Sequence, residues 1–260
     1  MAWWLEQCQI PDQIAYQAAL DHQLQLTKPT GSLGDLEQVA TQLASLQSTS
    51  APHIDFPWIT IFAGDHGVME EQISAYPQAV TRQMLQNFTS GGACISVMAK
   101  HYGAHLQVID CGSVGEAYAY AGVECHSIMQ GTQNFAKTTA MSTEQCMAAM
   151  QLGYQSVEKA MAQKASIYVA GEMGIGNTCS ASALACLLLN ESEEALTGVG
   201  TGIKQEQLIR KKQVIQQAIT LHQDWAGDDA FNILCAVGGL EIAAMVGAYI
   251  RCAQRGLAIL

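Results

Sequence analysis

Charge is what this sequence has least of. Asp, Glu, Lys and Arg make up only 13% of its 260 residues, and hydrophobic residues make up 49%. Such a chain buries a large core and is not a disordered one. Basic residues are scarcer still: 12 Lys and Arg stand against 23 Asp and Glu, for a formal net charge of −11. A nucleic-acid surface shows as a basic stripe, and the only dense basic cluster here is Arg210-Lys211-Lys212. No nucleic-acid partner is therefore expected.

Further absences narrow the class. The nine cysteines include no CxxC pair and no Cys/His clustering with zinc spacing, so reduced thiols in a cytoplasmic chain are expected, with no metal. The opening "MAWWLEQCQIPDQ" has no basic stretch followed by an apolar one, unlike a signal peptide. The most apolar long window, Leu234–Ile250, contains Glu241 and a Gly pair and falls short of the ~20 residues that span a bilayer. No membrane contact is expected. No Lys-Ser/Thr follows a glycine loop, which excludes a Walker A motif, and no GxSxG elbow exists. There is no internal repeat.

What is present is alternation. "WITIFAG" (Trp58–Gly64), "LQVIDCG" (Leu106–Gly112), "SIYVAG" (Ser166–Gly171) and "NILCAVGG" (Asn232–Gly239) are continuous apolar runs that end in Gly. Strands buried on both faces of a parallel sheet read this way. Helical patterns at 78–88, 92–102, 143–164, 178–189, 205–222 and 240–255 separate or follow them. The pattern predicts an α/β fold, a Rossmann-like doubly wound and mostly parallel sheet. Ligands in such sheets bind beyond the carboxyl ends of the strands. Residues 1–50 read instead as a small N-terminal helical appendage, two helices joined by "KPTGSLG", and residues 51–260 as the sheet domain. The final "LAIL" reads as the start of another buried strand, so the domain is expected to be incomplete at its C-terminal end.

Several strand ends carry candidate chemistry. "GEMGIGNT" follows a strand and opens a helix. Gly174 and Gly176 would let the backbone approach a phosphate at the helix N-terminus, with Asn177 or Thr178 as cap. A tight turn without a ligand fits the same pattern. "GVGTG", with Gly200 and Gly202, leads into a helix that carries Lys211. It reads as a second phosphate loop or as a plain loop before a solvated helix face. "AGDHGV" puts Asp65 and His66 at a strand end, as acid and base or as a polar turn, and Asp110 repeats the theme one strand later.

Taken in order, "KPTGSLG", "AGDHGV", "YPQAVTRQMLQNFTSGGA", "VIDCG", "GTQNF", "GEMGIGNT", "GVGTG" and "GGLEIAAMVGA" resemble the nicotinate-nucleotide:dimethylbenzimidazole phosphoribosyltransferase family of cobalamin biosynthesis, from Lys28 onward. The resemblance implies transfer of the 5-phosphoribosyl group of nicotinate mononucleotide to a benzimidazole, with no cofactor and a homodimeric enzyme. It implies that Gly174, Gly176, Asn177, Thr178, Gly200, Gly202 and Lys211 cradle the phosphate. Glu172 would face the ribose. Ser74, Gln83, Met84 and Phe88 would form the slot for the flat acceptor, with Asp65 and Asp110 in the same crevice. It also implies that the general base is a Glu in an "LRLGEGSGA"-like segment, which nothing in residues 1–260 matches. No catalytic residue is therefore expected among them. The alternative reading is a truncated, inactive nucleotide-binding remnant.

Overall fold

The computed structural model describes residues 2–260. Two helices open it, α1 (Gln13–Gln25) and α2 (Asp35–Leu46). Asp12 caps α1 by accepting from the N–H groups of Ile14 and Ala15 at 2.8 and 3.0 Å. The "KPTGSLG" connection is held by Lys28, whose ammonium meets Glu37 at 2.6 Å. The two helices pack on each other. Before them, Trp4 stacks on Phe231 at 5.7 Å and Trp3 meets the edge of Tyr154, which ties the N-terminus to helices that cover the sheet.

The sheet has four strands: β1 (Pro57–Gly64), β2 (His105–Gly112), β3 (Val123–Cys125) and β4 (Ile167–Met173). Their order is β3-β2-β1-β4 and every pairing is parallel. The chain therefore moves from β1 outward on one side, then returns to β1's other side with β4. That reversal opens a crevice beyond the carboxyl ends of β1 and β4. At "LAIL" the Tyr168 N–H donates to the Ala258 carbonyl and the Leu260 N–H to the Tyr168 carbonyl, a single parallel bridge on β4's free edge rather than a strand, with Ile259 and Leu260 exposed.

Helices cover both faces. α3 (Ala79–Ser90) and α4 (Cys94–Tyr102) lie on one. There Ile59, Ile61, Ala63 and Val108 from the strands pack with Leu85, Phe88 and Ala99. α5 (Thr143–Ala162) lies on the other, with α6 (Asn177–Leu189), the short α7 (Glu193–Leu196) and α8 (Gln205–Ala226) beyond it. α9 (Ala230–Val237) and α10 (Leu240–Arg255) complete that layer. Period-2 alternation along β1 sends Trp58 and Phe62 to this side and Ile59 and Ile61 to the other. α5 begins with a capping box made by Ser142 and Gln145.

One expected strand is a helix. Asn232–Gly239 lies in and just after α9, started by Asp229, whose carboxylate accepts from the Asn232 N–H at 2.9 Å. Ile233 through Val237 are all buried. A short helix enclosed on every side shows no 3.6-residue period, so its apolar run imitates a buried strand. The short β3, half-buried and only three residues long, left no comparable run to read.

Candidate functional site

The crevice floor is built by glycine. Only Gly174, Ile175 and Gly176 separate β4 from α6. A Cβ on Gly174 would lie 2.2 Å from the Gly64 carbonyl oxygen. Gly176 has φ +103°, and a Cβ there would sit 2.8 Å from the His66 Cβ. The loop thus lies flat on the end of β1, where no larger residue fits. No side chain caps α6, and the helix dipole there favours an anion.

Asn177 and Thr178 are not caps. The Asn177 amide donates to Glu241 Oε1 at 3.0 Å. The Thr178 hydroxyl oxygen accepts from Lys211 Nζ at 2.8 Å, and the same ammonium lies 3.4 Å from the Gly198 carbonyl. Lys211 is buried rather than on a solvated face. It shares its stripe of α8 with Val214, Ile215, Ala218 and His222. Its stem is thus packed and its charge emerges in the crevice. Burial pushes the ammonium below its ordinary pKa. A bound anion would offset that cost. Gly200, at φ +54°, lets the "GVGTG" loop close on this point, since its Cβ would lie 2.7 Å from the Thr178 hydroxyl. Ser74, Gly174, Gly176, Thr178, Val199, Thr201 and Lys211 line the resulting narrow cleft. Gly202, also left-handed at φ +91°, turns the chain toward α8 with open space around it. A wider hollow bordered by Glu193, Lys212 and Gln216 lies elsewhere and has no glycine cradle.

Beneath the loop sits a buried ion pair. His66 Nε2 and Glu241 Oε1 are 2.6 Å apart, and both side chains are wholly buried. Glu241 stands in the first turn of α10, where the dipole favours its charge. Burial opposes the charged ring, but Glu241, with Asp65 and Glu172, more than offsets it and lifts the His66 pKa above its ordinary value. Glu172, at the end of β4, is pushed up to about 7, first by desolvation and then by the Glu241 charge, with His66 opposing. Its side chain keeps a face open to water, which limits the effect.

The two Asp residues are fully engaged by the fold. Asp65 accepts from the Thr81 hydroxyl at 2.7 Å and the Val114 N–H at 2.8 Å. Asp110 accepts from the Gly112 and Ser113 N–H groups, the Ser113 hydroxyl and the Tyr118 hydroxyl. These carboxylates shape the loops after β1 and β2. Among the described residues no cluster of His, Cys, Asp and Glu is arranged to hold a metal ion.

The family model described as phosphoribosyltransferase matches residues 8–260. The nicotinate-nucleotide--dimethylbenzimidazole phosphoribosyltransferase of Pseudomonas fluorescens strain SBW25 is 50% identical over 258 residues, 99% of this chain and 73% of that relative. Its counterpart in Pseudomonas aeruginosa strain LESB58 is 46% identical over 260 residues, 100% of this chain and 74% of the relative. The crystal structure of CobT from Thermus thermophilus superposes with a TM-score of 0.89 at 38% identity, covering 95% of this chain and 73% of that one. The chain belongs to the phosphoribosyltransferase family.

Within this phosphoribosyltransferase, the expected phosphate residues meet. Gly174, Gly176, Thr178, Gly200 and Lys211 converge, with Ser74 on the cleft wall. The expected acceptor slot does not converge so fully. Gln83 is exposed and Met84 half-buried on α3, while Phe88 is packed into the core against Ile59 and Ile61 rather than facing the crevice. Asp110 is closed off by its four donors. The partnership that sequence reasoning missed is His66 with Glu241, 175 residues apart. The motif "AGDHGV" pointed only to Asp65 and His66 at one strand end. Only Glu241, a lone carboxylate inside an apolar run, hinted otherwise.

Proposed function

We propose that this phosphoribosyltransferase moves the 5-phosphoribosyl group of nicotinate mononucleotide to 5,6-dimethylbenzimidazole or a similar benzimidazole. The products are α-ribazole 5′-phosphate and nicotinate. A benzimidazole nitrogen attacks the anomeric carbon opposite the departing nicotinate, so the configuration inverts and the acceptor N–H proton is released. Lys211 and the uncapped α6 N-terminus hold the phosphate. Glu172 faces the sugar, where a carboxylate stabilises positive charge developing on the ring. The observation that carries this reading is the buried Lys211 ammonium, aimed at Thr178 between two glycine loops. Relatives at about half identity bear the matching name.

Titration calorimetry tests the reading. Lys211→Ala removes a charge-assisted contact of about 1.5–3 kcal/mol, so nicotinate mononucleotide should bind about 10- to 100-fold more weakly. Binding of dimethylbenzimidazole should hardly change. Equal losses for both ligands would count against the phosphate role.

We infer further that the working unit is a cytoplasmic homodimer. Ile14, Leu24, Leu36 and Val39 leave apolar surface exposed on α1 and α2, and all nine cysteines are free. No helix among the described residues is long and apolar enough to cross a membrane.

A further inference from the structure

His66 and Glu241 take no part in the substrate contacts proposed above, yet they occupy the most enclosed position in the crevice. Four glycines wall them in. A Cβ on Gly239 would lie 2.5 Å from the His66 ring and 2.6 Å from Glu241 Oε1. One on Gly64 would lie 2.8 Å from Glu241 Oε2, and those on Gly174 and Gly176 would crowd His66 from above. Two polar atoms of the pair, His66 Nδ1 and Glu241 Oε2, are buried without a partner. A neutral, well-packed pair of apolar residues would fill such a space at lower cost. The fold keeps the charges and removes four side chains to fit them.

The pair has two connections outward, and both lead to the nucleotide site. Glu241 Oε1 accepts from Asn177, the first residue of α6, which anchors the glycine loop from below. In the register of β1 and β4, Phe62 lies beside Glu172 and Ala63 beside Met173. Glu172 thus shares the strand-end crevice with His66, and Glu241 enters it from α10. The ionisable groups around the pair are few: Asp65 adjoining His66 in the chain, Glu172 on β4 and Cys111 on β2. Asp65 is held by Thr81 and Val114, and burial keeps the Cys111 thiol protonated.

We propose that His66 and Glu241 are positioning residues of this site: a buried ion pair that seats the Gly174–Thr178 loop through Asn177. The proposal rests on reading the crevice as the phosphoribosyl-donor site. Glu241 Oε1 lies 2.6 Å from His66 Nε2 and accepts from the Asn177 amide at 3.0 Å, so one carboxylate ties the end of β1 to the start of α6. Glu241→Gln keeps the shape of the carboxylate and a carbonyl oxygen for Asn177, whereas Glu241→Ala keeps neither.

The test is titration calorimetry of nicotinate mononucleotide with the 260-residue chain carrying Asn177→Ala, Glu241→Ala or Glu241→Gln. The two alanine variants should bind about 10-fold more weakly, and Glu241→Gln, which keeps an acceptor for Asn177, should recover part of that loss. Binding as tight as the parent's in both alanine variants overturns the proposal. A second measurement needs no variant: ring-nitrogen NMR of His66 in the unaltered chain should show both nitrogens protonated at pH 7, and a neutral ring there overturns it equally. Absence of nucleotide binding in the unaltered chain would instead defeat the donor-site reading, whatever the His66 ring shows.

Discussion

Burial shifts both Glu172 and Lys211 toward their neutral forms. For Lys211, burial alone lowers the pKa, with slight help for the charged form from Cys179. A bound anion would offset that burial. Glu172 gives a pH test on the fold itself. Its folded pKa, about 7, lies above the ordinary value of 4.5. The folded protein therefore binds this proton more tightly than the unfolded chain. The resulting stability is fully present below pH 4.5 and is lost as pH rises through 7. His66, also raised from its ordinary 6.5, adds stability below that value and loses it above its folded pKa. Urea denaturation of Glu172→Gln should accordingly show a flatter decline between pH 4.5 and 7 than the parent, with the slope at higher pH retained. An unchanged slope would show that the carboxylate is relaxed in the crevice.

Helix packing positions the site from a distance. α10 packs along α5 more extensively than any other pair of helices. Small residues let their backbones touch: a Cβ on Gly247 would lie 2.0 Å from the Met150 carbonyl oxygen, and one on Gly153 would lie 1.8 Å from that of Ala244. Because Glu241 rides on α10, this contact sets where the buried pair stands. Gly247→Ala should cost about 1–3 kcal/mol by forcing the helices apart. Chemical denaturation measures this, and a cost under about 0.5 kcal/mol would show that α10 can shift freely. The same layer shows how far patterns reach. α10 was legible as a helix because its apolar residues repeat on one face and polar ones, such as Arg251 and Gln254, interrupt them. α9 was not, because nothing polar breaks Ile233–Val237.

Across the whole molecule, the two ends lie on one side of the sheet. The first residues pack on α10, where the Gln9 N–H donates to the Ala253 carbonyl, and the last pair with β4. Beside them α1 and α2 carry the exposed apolar side chains. If two copies meet through these helices, sedimentation should give twice the chain mass. Leu36→Glu should shift the population toward the single chain without loss of nucleotide binding. A single chain at every concentration would refute the homodimer.

Much of this architecture is determined locally. The apolar runs of β1, β2 and β4, the helices between them and the glycine turns at their ends follow from periodicity and backbone freedom, which depend on residues close in the chain. The glycine cradle proposed for the phosphate was legible for the same reason, since a glycine loop before a helix is a local device. Partnership between side chains is not local. Whether Asp110 faces a ligand or clamps its own loop, whether Phe88 lines a slot or fills the core, and which side chain pairs with His66 depend on which strand lies beside which and on where α10 begins. Those choices are made by packing among segments up to 175 residues apart. A short sequence window carries no record of them, because burial and distance arise only once the sheet has closed against its helices.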